Sequence, residues 1–154
     1  MNLIEHKKAR LNYEILEEFE AGLELLGPEV KSLRLHHGKL DGSHVVVRPS
    51  GRKSGFEAYI VGMSIPPYQS GNTPVGYEPE RTRRLLLTKK ELTALAQFEG
   101  QKGLTIVPLS VYNKSRTLKL KIAVARGRKQ YDKRAVMKER DTKREIDRTL
   151  KNQY

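Results

Sequence analysis

Apolar and polar residues along this chain alternate mostly with period two. From Asn12 to Leu26, Tyr13, Ile15, Phe19, Ala21, Leu23 and Leu25 take one face, and Glu14, Glu18, Glu20 and Glu24 the other. That alternation predicts one long strand. Gly22 lies inside it, where a glycine marks a bulge or a bend. Gly27-Pro28-Glu29 then reads as a helix start, with Pro at the first helical position and an acid in the first turn. The helix is predicted from Pro28 to about His36, ending at Gly38. Further strands are predicted at 45–47, 56–63, 83–87, 105–112 and 117–125, the last two as a hairpin around Asn113-Lys114-Ser115-Arg116. Thr88-Lys89-Lys90-Glu91 is a capping box, opening a helix through Leu92, Leu95 and Phe98 to near Gly100. Residues 65–79 hold four of the seven prolines and read as a long loop, of a length usually functional or disordered. Strands dominate over βαβ units. The expected fold class is therefore mainly β with short helices: an OB-like small antiparallel barrel of about six strands.

From Gly127 the pattern changes. Helix formers dominate, and the only aliphatic residues, Ala135, Val136, Met137, Ile146 and Leu150, make no continuous apolar stripe. Pairs such as Glu139–Lys143 and Asp147–Lys151 add only about 0.2–0.5 kcal/mol each. An isolated helix of this length is marginal in water. The tail is expected to be disordered or helical: largely disordered on its own and folding as a helix on RNA. The expected organisation is a barrel at 1–125 and a basic tail at 126–154.

Charge names the kind of partner. The net charge is +12, and the last 29 residues, with 11 basic and 5 acidic side chains, carry half of it. Such a balance points to nucleic acid ahead of an anionic membrane. No apolar run approaches the roughly 20 residues of a bilayer span. The first residues are too few and too polar for a signal peptide, and Cys is absent, so a cytoplasmic setting is expected.

Catalytic chemistry finds little footing. His6, His36, His37 and His44 lack metal-ligand spacing. Glu29-Val30-Lys31, with Glu20 upstream, matches part of a metal-dependent nuclease core, but Pro28 places Glu29 in a helix where that core needs a strand. No Gly-rich phosphate loop or nucleophile elbow occurs. The chain is expected to be no enzyme, with no catalytic residue, metal or cofactor.

The basic clusters are more informative. Lys7-Lys8-Ala9-Arg10 precedes the first strand, Lys31 and Arg34 share a helix face, and Arg81-Thr82-Arg83-Arg84 follows the long loop. Arg126-Gly127-Arg128-Lys129-Gln130-Tyr131-Asp132-Lys133-Arg134 opens the tail. Arg forks and Lys point charges suit phosphate. Tyr131, amid the tail cations, could stack on an unpaired base or pack on the barrel edge.

Five ordered blocks resemble one family. Lys7-Lys8-Ala9-Arg10 with Tyr13-Glu14-Ile15 and Glu20-Ala21-Gly22, then Gly27-Pro28-Glu29-Val30-Lys31-Ser32-Leu33-Arg34, are similar to the opening of SmpB proteins. Arg81-Thr82-Arg83-Arg84-Leu85-Leu86-Leu87, Lys102-Gly103-Leu104-Thr105-Ile106-Val107-Pro108-Leu109 and the stretch from Ala125 to Arg134 continue the match. The resemblance implies an OB-like barrel binding the tRNA-like domain of tmRNA, in place of a missing anticodon arm. It implies a tail that enters the empty mRNA channel of a stalled ribosome near the decoding centre, so that alanyl-tmRNA enters without a codon and trans-translation begins. The elongation factor that delivers aminoacyl-tRNA is an indirect partner, and a monomer without membrane contact is expected. Carried over by position, Lys7, Arg10, Glu20, Gly22, Glu29, Lys31, Ser32, Arg34, Arg83 and Arg84 are candidates for tmRNA contact. Arg126, Gly127, Arg128, Lys129, Tyr131, Asp132, Lys133 and Arg134 are candidates for ribosome contact. Departures are His6 where the family carries Asn, an altered segment at 35–44, and a longer turn at 49–55. A generic single-strand-binding module and a structural ribosomal protein are the competing readings.

Overall fold

The computed structural model of the chain describes residues 2–51, 54–69, 71 and 73–152, with the backbone alone at 130, 131 and 152. In order the elements are β1 (Asn2–Glu5), α1 (Ala9–Asn12), β2 (Tyr13–Leu23), α2 (Gly27–Arg34), β3 (His44–Pro49) and β4 (Phe56–Val61). They continue with β5 (Arg83–Leu86), α3 (Lys89–Phe98), β6 (Leu104–Lys114), β7 (Thr117–Gly127) and α4 (Gln130–Asn152). The strands run β6-β3-β4-β5-β2-β7, and β7 returns to pair with β6, which closes a six-stranded antiparallel barrel. β1 is an added strand on β6. The length of β6 allows this: Ile106 pairs with Val45 of β3, while Ser110, Val111 and Tyr112 pair with β1.

The barrel core follows from the period-two pattern. Leu118, Leu120, Ile122 and Val124 of β7 point inward with Ala21, Val45, Ala58, Ile60, Leu85 and Ile106. Leu33 of α2 and Leu95 of α3, both fully buried, join the same core. In α3 the predicted capping box forms, with the Glu91 N–H donating to Thr88 Oγ1 and the Thr88 N–H to Glu91 Oε1, each at 3.2 Å. Outward from β7 lie Lys119 and Lys121, then Ala123 and Ala125. The two alanines pack with Ala9, Val107 and Leu109 in a small second cluster on the outer wall.

Two irregularities shape the barrel. β2 bulges between Ile15 and Glu17 rather than at Gly22, which leaves Leu16 exposed on the strand. β6 bulges between Pro108 and Ser110, at a residue with no N–H for the ladder. Gly22 marks a handover instead: it pairs with Lys119 of β7 and with Leu86 of β5. A Cβ there would lie 3.1 Å from Leu86 Cβ, so a side chain at the crossing would require Leu86 to shift by a few tenths of an ångström.

Two expectations change. β1 and the single turn α1 were not anticipated, because four residues are too few to show a period. The barrel extends past residue 125: Arg126 pairs with Leu104 and Gly127 with Tyr13, so both belong to β7 and not to the tail. The tail, expected to be disordered or helical, is one continuous helix of 23 residues. It approaches the body at α1, and its side chains beyond Val136 are exposed among the described residues. No helix of the described residues is long and apolar enough to cross a membrane.

Candidate nucleic-acid interface

The candidate residues divide by burial. Glu29, Ser32 and Arg83 are buried at 1%, 0% and 0% exposure. Glu29 caps α2 by accepting the Leu26 N–H at 2.8 Å. It also accepts from Arg81 Nε at 3.0 Å and from Arg83 Nε at 2.8 Å. Burial pushes the Glu29 carboxyl up, but the Arg81 bond, the Leu26 N–H and Arg83 together hold it below the usual range. Arg83 also donates to the carbonyls of Met63 (2.8 Å), Pro79 (2.9 Å) and Arg81 (3.1 Å). Ser32 Oγ donates to Pro66 O at 2.8 Å, and Tyr77 donates its hydroxyl to Ile65 O at 2.8 Å. The sequence reading that put Glu29, Ser32 and Arg83 in contact with RNA is therefore corrected. Their polar atoms are consumed internally, where they tie α2 and the β4–β5 loop to the barrel. A buried charge must be paired in this way, since an unpaired one costs several kcal/mol. Glu29 faces arginines and its carboxylate is fully engaged, which also removes the nuclease-like reading.

Exposed cations gather on the outer face of β2, β7 and β6. Register places Lys121 between Glu20 and Ser110, and Lys119 between Gly22 and Tyr112. Glu20 accepts from Lys114 Nζ at 3.0 Å through one oxygen and from the Tyr112 hydroxyl through the other. The Tyr112 bond, then Lys114, hold the Glu20 carboxyl below its usual range. Burial, and after it the bond to Glu20, push the Tyr112 phenol up to about 12. Glu20 thus orients a lysine and a tyrosine, one of the roles open to an acid beside RNA. Glu18 does the same for Arg10 (2.8 Å) and Lys121 (3.8 Å). At one end of this track a cavity of about 400 Å³ is lined by His6, Lys7, Arg10, Tyr112, Lys121 and Arg140. His6 is nearly buried: its Nδ1 donates to Pro108 O at 3.1 Å, a carbonyl that lies at the β6 bulge. At the other end Arg34 donates to Arg116 O at 3.1 Å across to the β6–β7 turn. That two-residue turn holds Ser115 and Arg116 at φ 48° and 71°, the left-handed geometry of a tight hairpin. Lys31 Nζ stands 5.7 Å from the Tyr68 ring centroid, a contact worth about 0.5–1 kcal/mol at an exposed site.

The structure therefore brings Lys7, Arg10, Glu20, Gly22, Lys31 and Arg34 to one continuous side. Arg84 stands apart. It lies on β5, across the barrel from β6, 3.7 Å from Glu57. Sequence reasoning missed Lys114, Arg116, Lys119 and Lys121 as candidate site residues. The alternation of Lys119 and Lys121 with buried leucines was the available signal.

In the tail segment, Arg126 lies 3.9 Å from Glu14 on the barrel wall. Gly127 has open space around its Cβ position, so packing does not demand a glycine. The Arg128 N–H donates to Asn12 O at 2.8 Å, while its buried Nε has no partner among the described residues. Asp132 accepts the Lys129 N–H at 3.3 Å, a cap on α4 that also complements the helix dipole. Lys129 and Arg134 are exposed and Lys133 is half-buried. The Tyr131 side chain lies outside the described residues.

The sequence model of the SmpB protein family matches residues 3–152. The chain belongs to the SmpB family. Among SmpB relatives, the SsrA-binding protein of Clostridium acetobutylicum is 43% identical over 150 residues, 97% of this chain and 92% of that protein. The SsrA-binding protein of Elusimicrobium minutum is 45% identical over 147 residues, 96% of this chain and 89% of that one. A solved SmpB structure, described as "tmRNA-SmpB: a journey to the center of the bacterial ribosome", superposes with TM-score 0.64 at 43% identity. It covers 82% of this chain and 84% of its own. The barrel is thus the SmpB fold, mainly antiparallel β with short helices and a C-terminal helix.

Proposed function

We propose that this chain binds the tRNA-like domain of tmRNA and carries it to stalled ribosomes for trans-translation. The observation that carries the reading is the exposed cationic face of β2, β6 and β7 on an SmpB barrel. A folded tRNA-like RNA is recognised by its shape and backbone, with a few unstacked bases read individually. Cations held in register by Glu18 and Glu20 suit such a backbone, because their positions are set before the RNA arrives. Lys7, Arg10, Lys31 and Arg34 supply phosphate contacts, and Lys114, Arg116, Lys119 and Lys121 join them. Glu20 and Gly22 shape the face, and Glu29, Ser32 and Arg83 support it from within.

The chain divides its work between two parts. The barrel, through Gly127, holds tmRNA. The tail, with Arg128, Lys129, Tyr131, Lys133 and Arg134, faces the ribosome and lies in the empty mRNA channel near the decoding centre, with Arg126 beside it at the end of β7. Partners are tmRNA, the ribosome and, indirectly, the elongation factor that delivers aminoacyl-tRNA. The role is binding without catalysis, in the cytoplasm.

Electrophoretic titration at defined salt tests the reading. tmRNA is expected to bind far more tightly than unstructured oligonucleotides or bulk ribosomal RNA, and equal affinity for all three would sink it. Deletion from Tyr131 onward is expected to spare tmRNA binding, apart from Arg140 at the cavity wall, and to abolish tagging. The truncated chain is expected to keep its fold, since among the described residues α4 adds none to either core cluster.

A further inference from the structure

From Ala58 to Tyr77 the chain carries no charged side chain, in a protein where 31% of residues are charged. Within this stretch the loop after β4 is held at its neck. Ile65 N–H donates to Pro79 O at 3.0 Å, and the buried Arg83 grips the carbonyls of Met63 and Pro79. Ser32 fastens Pro66 to α2. Two residues beyond that anchor, Tyr68 sits under the Lys31 ammonium with 38% of its surface exposed. It belongs to neither core cluster. On the same side, Arg34 meets the β6–β7 turn at Arg116.

We propose that Tyr68 is a stacking platform for an unpaired RNA base, flanked by Lys31 and Arg34 as phosphate clamps. The proposal rests on the RNA-binding reading above and assigns the β4–β5 loop to it. An aromatic ring accepts any base face, and a cation beside it holds the adjoining phosphate. The pinned neck and Pro66-Pro67 mean that little ordering is needed when the base docks. No acid lies between Ala58 and Tyr77, so the stretch around Tyr68 does not repel the RNA backbone.

The test compares full-length variants with tmRNA at several salt concentrations. Tyr68→Ala is expected to weaken binding by about 10-fold with the log–log salt slope unchanged. Tyr68→Phe is expected to bind as the parent does. Lys31→Ala is expected to flatten the slope by about one. The chain lacks Trp, so Tyr68→Trp provides a single reporter whose fluorescence is quenched when a base stacks on it. Parent-like affinity of Tyr68→Ala, with no quenching in Tyr68→Trp, would overturn the proposal. So would lost tagging at unchanged RNA affinity, which would assign the loop to a protein partner. If the parent shows no preference for tmRNA, the proposed function falls, while weaker binding of Tyr68→Ala to every RNA still upholds the stacking contact.

Discussion

Residues 1–125 and residues 126–154 carry the same net charge, +6 each, yet they solve opposite problems. In the barrel, several charges are paired on the outer wall, as Lys114 is with Glu20, or buried in a closed network around Glu29. In α4, charges stand in solvent along a helix that, among the described residues, approaches the body at α1 and at the cavity wall where Arg140 lies. The difference teaches that charge count says which partner a segment suits, while packing says whether the segment holds its own shape. The barrel's shape is set by long-range pairing. The helix relies on local bonds, which stabilise it weakly in water.

The largest expected effect falls on the buried network. Glu29→Gln leaves Arg83 without its counter-charge and is expected to cost about 3–5 kcal/mol in chemical denaturation. An unchanged denaturation midpoint would erase the contrast between the two regions. The same carboxyl sets an acid limit. Its folded value lies below the ordinary glutamate value of 4.5, so its contribution is fully present above that value and is lost as pH falls through the lower folded one. Thermal melts from pH 6 downward should show this acid loss in the parent and a flatter profile in Glu29→Gln.

Next comes Gly22→Ala. A methyl 3.1 Å from Leu86 crowds the point where β2 passes from β7 to β5, with an expected cost of about 1–3 kcal/mol by thermal denaturation. A smaller effect is expected in hydrogen exchange. Amides of α4 beyond Arg140 should exchange by local opening, far faster than the paired amides of β6 and β7. Barrel-like protection there would show that the tail is held by contacts the described residues do not contain. The smallest effect is expected for Ile146→Ala, within about 0.5 kcal/mol of the parent in chemical denaturation, because Ile146 packs on nothing in the body.

Much of this was legible in the chain. The alternation in β7, the Phe19-Ala21-Leu23 stretch of β2, the Thr88–Glu91 box and the Pro28 helix start each appear where the pattern puts them, because each depends on neighbours within a few residues. Tyr13 and Ile15, expected on the same face as Phe19, pack on the outer wall because the bulge between Ile15 and Glu17 turns the strand over. β1 was not legible: its partner is Tyr112, far along the chain, and four residues show no period. The site was half legible. Lys7, Arg10, Lys31 and Arg34 were visible as clusters, but a cluster does not reveal whether its members face outward. Arg83 and Arg84 are adjacent in sequence, yet one is fully buried and the other half-exposed.

By itself the sequence determined the strand-rich class, the cationic partner preference, the uneven spread of charge and, through five ordered blocks, the family. Only the tertiary structure decided that Glu29, Ser32 and Arg83 act from inside and that Lys119 and Lys121 join Glu20 on one wall. It also showed that Arg126 and Gly127 finish the barrel. The reason is physical. Periodicity and charge are local properties of a chain, whereas burial and the facing of side chains arise when distant strands close into one barrel.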